Sequence, residues 1–375
     1  MRAAIFQGPS DITVGERPDP AIEAPTDAIV RVVLACVCGS DLWYYRGESE
    51  HPVGSIGHEF IGIVTDIGSE VAGVAVGDLV IAPFIISDGS CPHCLNGSTI
   101  SCVQGTLFGN GTIDGGQGEA VRVPLASSTL VRVPGSGHSD AVLKSLLTLS
   151  DVMSTGHHAA VSAGVKPGDT VAVVGDGAVG LSAVLAAKRL GAERIIALSR
   201  HPDRQEVARW FGATDIVEAR GTEGEQEVLE LTAGIGVDAA LECVGTQQSI
   251  DTTAAIARPG SVIGIVGVPH GEVPFNPTFF ANIGWRGGPA PSRLYIPELM
   301  TDVLDGTINP GVVLDYETDL EQTPEAYAAM DERRAIKSMI RVSAPRAPDR
   351  SGRHRSNQRS PSSRQPQLRI CRDRL

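Results

Sequence analysis

Over roughly the first 145 residues, the apolar positions fall in short Val/Ile-heavy runs, at 29–35, 59–67 and 79–86, cut by Gly, Pro and Asp. Runs of that length between turn formers predict β-strands. The texture then changes. A strand at 171–174 leads through a Gly-rich turn into a helix over 181–190, where Leu181, Val184 and Leu185 form one apolar stripe. Further strands are predicted at 195–198, 239–243 and 261–266. Strands alternating with helices at this spacing imply an α/β fold with a parallel, doubly wound sheet. The alternation dissolves around Gly287-Gly288-Pro289, after which helices are predicted at 296–304 and 321–332. From Ser343 to Leu375 Arg, Ser, Pro and Gln dominate with almost no apolar periodicity, which predicts a disordered tail.

A length of 375 residues points to two domains, and 42% hydrophobic with 20% charged residues suits a chain that buries a substantial core. The net charge of −13 is uneven: from Ser343 onward nine Arg face Asp349 and Asp373, a local +7, so the body carries −20. Such a body repels nucleic acid and anionic membranes, and neither is expected as a partner. No apolar run reaches membrane-span length, and three of the seven Cys stand at metal-ligand spacing. A cytoplasmic protein is therefore expected rather than a disulfide-framed secreted one.

The strand-turn-helix at 171–190 carries Gly175-Asp176-Gly177-Ala178-Val179-Gly180, a G-x-G-x-x-G in the context that gives the motif its meaning. Gly175 permits the tight turn, Gly177 lets a pyrophosphate approach the backbone, and Gly180 lets helix pack on strand. An NAD site wants a carboxylate about twenty residues on, bonding the ribose hydroxyls. Here that place reads Ser199-Arg200-His201, with Arg204 following. A small neutral residue beside cations favours NADP over NAD, because a 2′-phosphate is paired and not repelled.

Two clusters have metal-site chemistry. Cys38, followed by Ser40 and Asp41, and His58-Glu59 offer a thiolate, an imidazole and a carboxylate, with Asp151 as a further ligand. Taken singly each has a plainer reading: Cys38 as a small buried group, His58 as a core histidine, Asp151 as a helix cap. Jointly they suit a catalytic zinc with an open position. The second cluster, Asp88, Cys91, Cys94 and Cys102, has Cys-x2-Cys-x7-Cys spacing suited to a structural zinc, which would supply the folding energy of a lobe poor in apolar residues.

Gly57-His58-Glu59-x2-Gly62-x-Val64-x3-Gly68, followed by Gly77-Asp78-x-Val80, resembles the signature of the zinc-dependent alcohol dehydrogenases, within the medium-chain dehydrogenase/reductases. The resemblance runs from Met1 to about Val342. It implies a GroES-like β-barrel catalytic domain (1–148), a Rossmann domain (149–288), a return segment completing the first (289–342), and an unrelated tail (343–375). It implies Cys38, His58 and Asp151 as catalytic zinc ligands, with Glu59 able to exchange onto the metal and Asp41 orienting His58. Ser40 would touch the substrate oxygen, Thr155 would lie under the nicotinamide ring, and Lys337 would stand near the pyrophosphate and Glu59. The Asp form of the third ligand resembles the NADP-using, secondary-alcohol branch, and a homodimer or homotetramer is implied as well. Three departures stand out: Asp88 replaces the first cysteine of the structural site, Trp43 stands where many relatives carry a proton-relaying His, and the basic tail has no counterpart. His51 is the available substitute for the relay. The expected activity is hydride transfer between a small alcohol and NADP+. A zinc-free quinone or enoyl reductase on the same scaffold and a non-catalytic NADPH-binding protein remain the alternatives.

Overall fold

The strand Ala28–Cys36 is the hub of the N-terminal half, with only Arg31 of its nine residues not buried. It pairs antiparallel with Phe60–Ile67, with Ala120–Val123 and with the late strand Ser338–Arg341. The computed structural model describes residues 1–343. Of the tail predicted from Ser343, only Ser343 falls within them; it donates from Oγ to the Val32 carbonyl at 2.6 Å. Phe60–Ile67 pairs onward with Leu79–Ala82. The run expected as one strand over 79–86 is two: Ile85–Ile86 lies beyond Pro83 and pairs with Thr106–Leu107 instead. Proline has no N–H to give the ladder, so the strand breaks there.

The second half is the parallel sheet the alternation predicts. Its spatial order is Asp215–Val217, Arg194–Leu198, Thr170–Val174, Val237–Glu242, Ala257–Ile265 and Gly284–Gly287. Counted along the chain this is 3-2-1-4-5-6, the doubly wound order, with its switch point beside Thr170–Val174. Two short strands, Asp215–Val217 and Gly284–Gly287, had no clear periodic signal. The helix expected at 296–304 starts earlier, as Ser292–Leu304. The one at 321–332 is a single tight turn, Leu320–Gln322, followed by Thr323–Asp331.

The interior is continuous between the two sheets. One buried cluster runs from Leu34, Ile61 and Ile81 through Leu146, Leu147 and Met153 to Val171, Val173 and Leu181. Helices Asp140–Thr148 and Val152–Ala163 supply the middle of that seam. The described residues accordingly fall in one compact unit. Among them no helix is long and apolar enough to cross a membrane.

Candidate active site

Register brings the metal-ligand candidates together. Ala35 faces Phe60 and Cys36 faces Met339 across adjacent strands. The residues just outside those pairs therefore share one end of the sheet: Cys38 after the first strand, His58-Glu59 before the second, Lys337 before the third. Asp151 arrives at the start of helix Val152–Ala163. It occupies the cap position, yet its side chain makes no cap bond to the helix backbone. Instead the Thr155 hydroxyl donates to Asp151 Oδ1 at 2.7 Å, which holds the carboxylate toward the cluster. That removes the plainer reading of Asp151.

One ligand atom each from Cys38, His58, Glu59 and Asp151 lies within 4.8 Å of the others. Cys38 Sγ is 3.5 Å and His58 Nε2 3.4 Å from Asp151 Oδ2. Tetrahedral bonds of about 2.0–2.3 Å require ligand atoms roughly 3.3–3.8 Å apart, so these spacings fit a single zinc. The other ring nitrogen, His58 Nδ1, sits 3.4 Å from Asp41 Oδ1, and Asp41 Oδ2 accepts from the Cys38 backbone N–H at 2.9 Å. Asp41 thus fixes both the ring and the turn that carries the thiol.

The charge balance also asks for a cation. Glu59 and Lys337 are each 1% exposed, with Glu59 Oε2 2.5 Å from Lys337 Nζ, and neither Glu59 oxygen makes a well-formed hydrogen bond. Burial, opposed by Lys337, pushes the Glu59 carboxyl up to about 7. Burial and then the charge of Asp151 raise the Cys38 thiol. Burial pulls the His58 imidazole down, but Asp41, Cys38 and Asp151 outweigh it and hold it well above its ordinary value. Burial likewise opposes ionisation of Asp151, yet the His58 contact and the Thr155 bond keep it down at about 2. Three acidic groups crowd one half-buried imidazole, an arrangement a divalent ion relieves.

The second cluster is equally tight, with ligand atoms of Asp88, Cys91, Cys94 and Cys102 within 4.8 Å of one another. The three thiols form a buried cluster of their own, while neighbouring Leu95 and Val103 are 76% and 67% exposed. A lobe without an apolar core fits a structural zinc. Backbone N–H groups of Cys91 and Ser90, each at 2.8 Å, hold the Asp88 carboxyl well below the usual range.

At the nucleotide motif, Gly175 has φ +120, and a Cβ on Gly180 would lie 1.9 Å from the Gly175 carbonyl oxygen. Only glycine allows that turn. A Cβ on Gly177 would meet nothing, so the backbone there is open to a ligand. Helix Ala178–Arg189 starts at Gly177 with no side-chain cap, leaving its first N–H groups free for phosphate. Val179 is half-buried in its first turn.

Lys337 stands beside Glu59, as the resemblance implies. Lys337 donates to the Val37 carbonyl at 3.1 Å and pairs with Glu59, so its ammonium is buried under the metal cluster. No contact with the glycine loop is seen among the described residues. His51 has both ring nitrogens on backbone carbonyls, of Pro52 and Gly109. Trp43 stacks on His270, with rings 3.4 Å apart and 4° from parallel. Trp285 lines a groove with Phe275, Phe279 and Phe280 on the parallel-sheet half. Phe84 does reach the site, its ring centroid 6.2 Å from that of His58. The Ser40 hydroxyl makes no capping bond to the helix it starts, Asp41–Tyr45.

Sequence reasoning passed over Asp176. Its carboxylate accepts from Ser199 Oγ at 3.0 Å and lies 3.3 Å from Arg204 Nη1. An acid between the first two glycines was the available signal. Arg200 is exposed beside it. Arg220, whose guanidinium is pushed down by burial and by Arg200 and Arg333, and Arg333 itself add two further cations to that corner.

Residues 24–135 match the family model for the alcohol dehydrogenase GroES-like domain and residues 178–292 that for zinc-binding dehydrogenase. The zinc-type alcohol dehydrogenase B of Aspergillus flavus is 34% identical over 87% of this chain and 78% of its own length. The solved alcohol dehydrogenase from Thermus sp. ATN1 superposes with a TM-score of 0.85 at 32% identity, covering 92% of this chain and 100% of that one. The zinc-dependent alcohol dehydrogenase 2 of Streptococcus pneumonia superposes at 0.83 with 30% identity, covering 92% and 100%.

Proposed function

The chain belongs to the zinc-dependent alcohol dehydrogenases of the medium-chain dehydrogenase/reductase superfamily, and on that premise we propose that it interconverts a small secondary alcohol and its ketone with NADP+, using zinc held by Cys38, His58 and Asp151. The observation that carries the reading is the convergence of those three side chains and Glu59 at one buried point. When bound, zinc would supply a Lewis acid for the substrate oxygen and the nicotinamide a hydride acceptor. The chain's own groups do the rest. Asp41 keeps Nδ1 of His58 occupied, so Nε2 faces the cluster. Thr155 fixes Asp151, and Lys337 offsets the charge of Glu59. Ser40 Oγ accepts the substrate hydroxyl proton while releasing its own toward solvent, and Phe84 packs edge-on 6.2 Å from the His58 ring. Gly175, Gly177 and Gly180 with the N–H groups of Ala178 and Val179 seat the pyrophosphate. Ser199, Arg200 and Arg204 favour the 2′-phosphate of NADP.

The test is zinc content per chain together with NADPH oxidation over a panel of small ketones. The expected result is two zinc ions per chain, one for each cluster, and turnover. Turnover without metal would point to a quinone or enoyl reductase, and bound NADPH without any turnover to a binding protein.

We further propose self-association into a homodimer or homotetramer through the outer strand Gly284–Gly287. That strand ends the parallel sheet, and Phe275, Phe279 and Phe280 beside it are 69%, 62% and 82% exposed. An unpaired edge next to an apolar patch invites a second copy. Light scattering should return a multiple of 39.2 kDa, and Phe280→Glu should lower it; a monomeric parent would refute the assignment.

A further inference from the structure

The cofactor-binding groups assigned to the 2′-phosphate are already engaged. Ser199 Oγ donates to Asp176 Oδ2 at 3.0 Å, and Arg204 Nη1 lies 3.3 Å from Asp176 Oδ1 and 3.4 Å from the Asp176 carbonyl. The Arg204 and Asp176 side chains are each only 12% exposed, so solvent screens the pair weakly. Asp176 comes from the glycine loop and reaches the end of strand Arg194–Leu198, the place where an NAD site carries its own acid. Outside it lie Arg200, Arg220 and Arg333, the last on a left-handed turn with φ +61 in the return segment.

We infer that Asp176 is a specificity-determining residue: a built-in carboxylate that holds the 2′-phosphate position and restrains the preference for NADP over NAD. This rests on the reading that Ser199, Arg200 and Arg204 face the adenosine ribose. A free ribose diol can donate to the carboxylate without disturbing it. A 2′-phosphate must instead compete for Ser199 and Arg204 and sit beside a like charge, gaining only what the outer arginines return. The cation cluster and its internal anion therefore oppose one another, and the anion sets the ratio between the two cofactors.

The probes are adenosine 2′,5′-bisphosphate and adenosine 5′-monophosphate, titrated calorimetrically into the zinc-loaded full chain, so that turnover plays no part. Asp176→Asn should tighten the bisphosphate by about tenfold or more, as expected for removing a unit charge about 4 Å from a dianion in a partly screened site. The monophosphate should change by less than about threefold, which also shows that the loop is intact; Asp176→Ala serves as the second variant. Arg200→Ala with Arg220→Ala should weaken only the bisphosphate. If the parent prefers the bisphosphate and both Asp176 variants leave that preference unchanged, the inference falls and the phosphate reading stands. Should the bisphosphate bind no better than the monophosphate in the parent and all variants, the phosphate reading falls and takes the inference with it. Tightening of the bisphosphate in the Asp176 variants of a parent that binds the monophosphate at least as tightly supports the inference and overturns only the NADP preference.

Discussion

Cys38→Ala is expected to remove one zinc per chain and lower turnover by about a thousandfold or more, with melting temperature close to the parent's. The thiol is one of three short-range donors around the cluster, 3.5 Å from Asp151, and among the described residues the only further donor there is Glu59, which Lys337 already pairs. Losing the Lewis acid withdraws several kcal/mol of charge stabilisation at the substrate oxygen, and about 1.4 kcal/mol corresponds to each factor of ten. Packing changes little, because Cys38 is small and lies two residues beyond the strand Ala28–Cys36. Metal analysis with steady-state kinetics checks this, and near-parental activity with zinc retained would remove Cys38 from the ligand set.

Lys337→Met should destabilise the zinc-free protein by about 3 kcal/mol at pH 8 and by much less at pH 5. The Glu59 carboxyl, pushed up to about 7 mainly by burial, still has Lys337 holding it down. Its folded pKa lies above the unfolded value, so its contribution is intact below the unfolded pKa and is lost as pH rises through the folded one. Without Lys337 the folded value rises further, and the penalty of ionising Glu59 in the interior grows on the alkaline side. At pH 5 Glu59 is protonated in the fold, and methionine replaces a buried ammonium that no longer has a charged partner. Denaturant unfolding of parent and variant at the two pH values measures the difference. An equal loss at both would show that Lys337 contributes packing and not charge.

Much of the candidate site was legible because its chemistry is local in sequence. Gly175 and Gly180 follow from a turn that tolerates no side chain at those two positions, and that constraint appears in the residues themselves. Cys38, His58-Glu59 and the Asp88–Cys102 group announced themselves by donor type. Asp151 did not, since an acid before a helix reads equally as a cap. Only the Thr155 bond and the 3.4–3.5 Å contacts with His58 and Cys38 decide its role.

What the sequence determined by itself was the alternation that makes a doubly wound sheet, the phosphate turn, and an inventory of soft and hard metal donors. Those depend on periods of two and 3.6 residues and on short spacings. The tertiary structure decided which donors meet, that Lys337 serves Glu59, and that Asp176 rather than a second-strand acid stands at Ser199. Each is a contact between side chains from separated segments, fixed by strand register and helix packing, and no local pattern encodes where those segments come to rest.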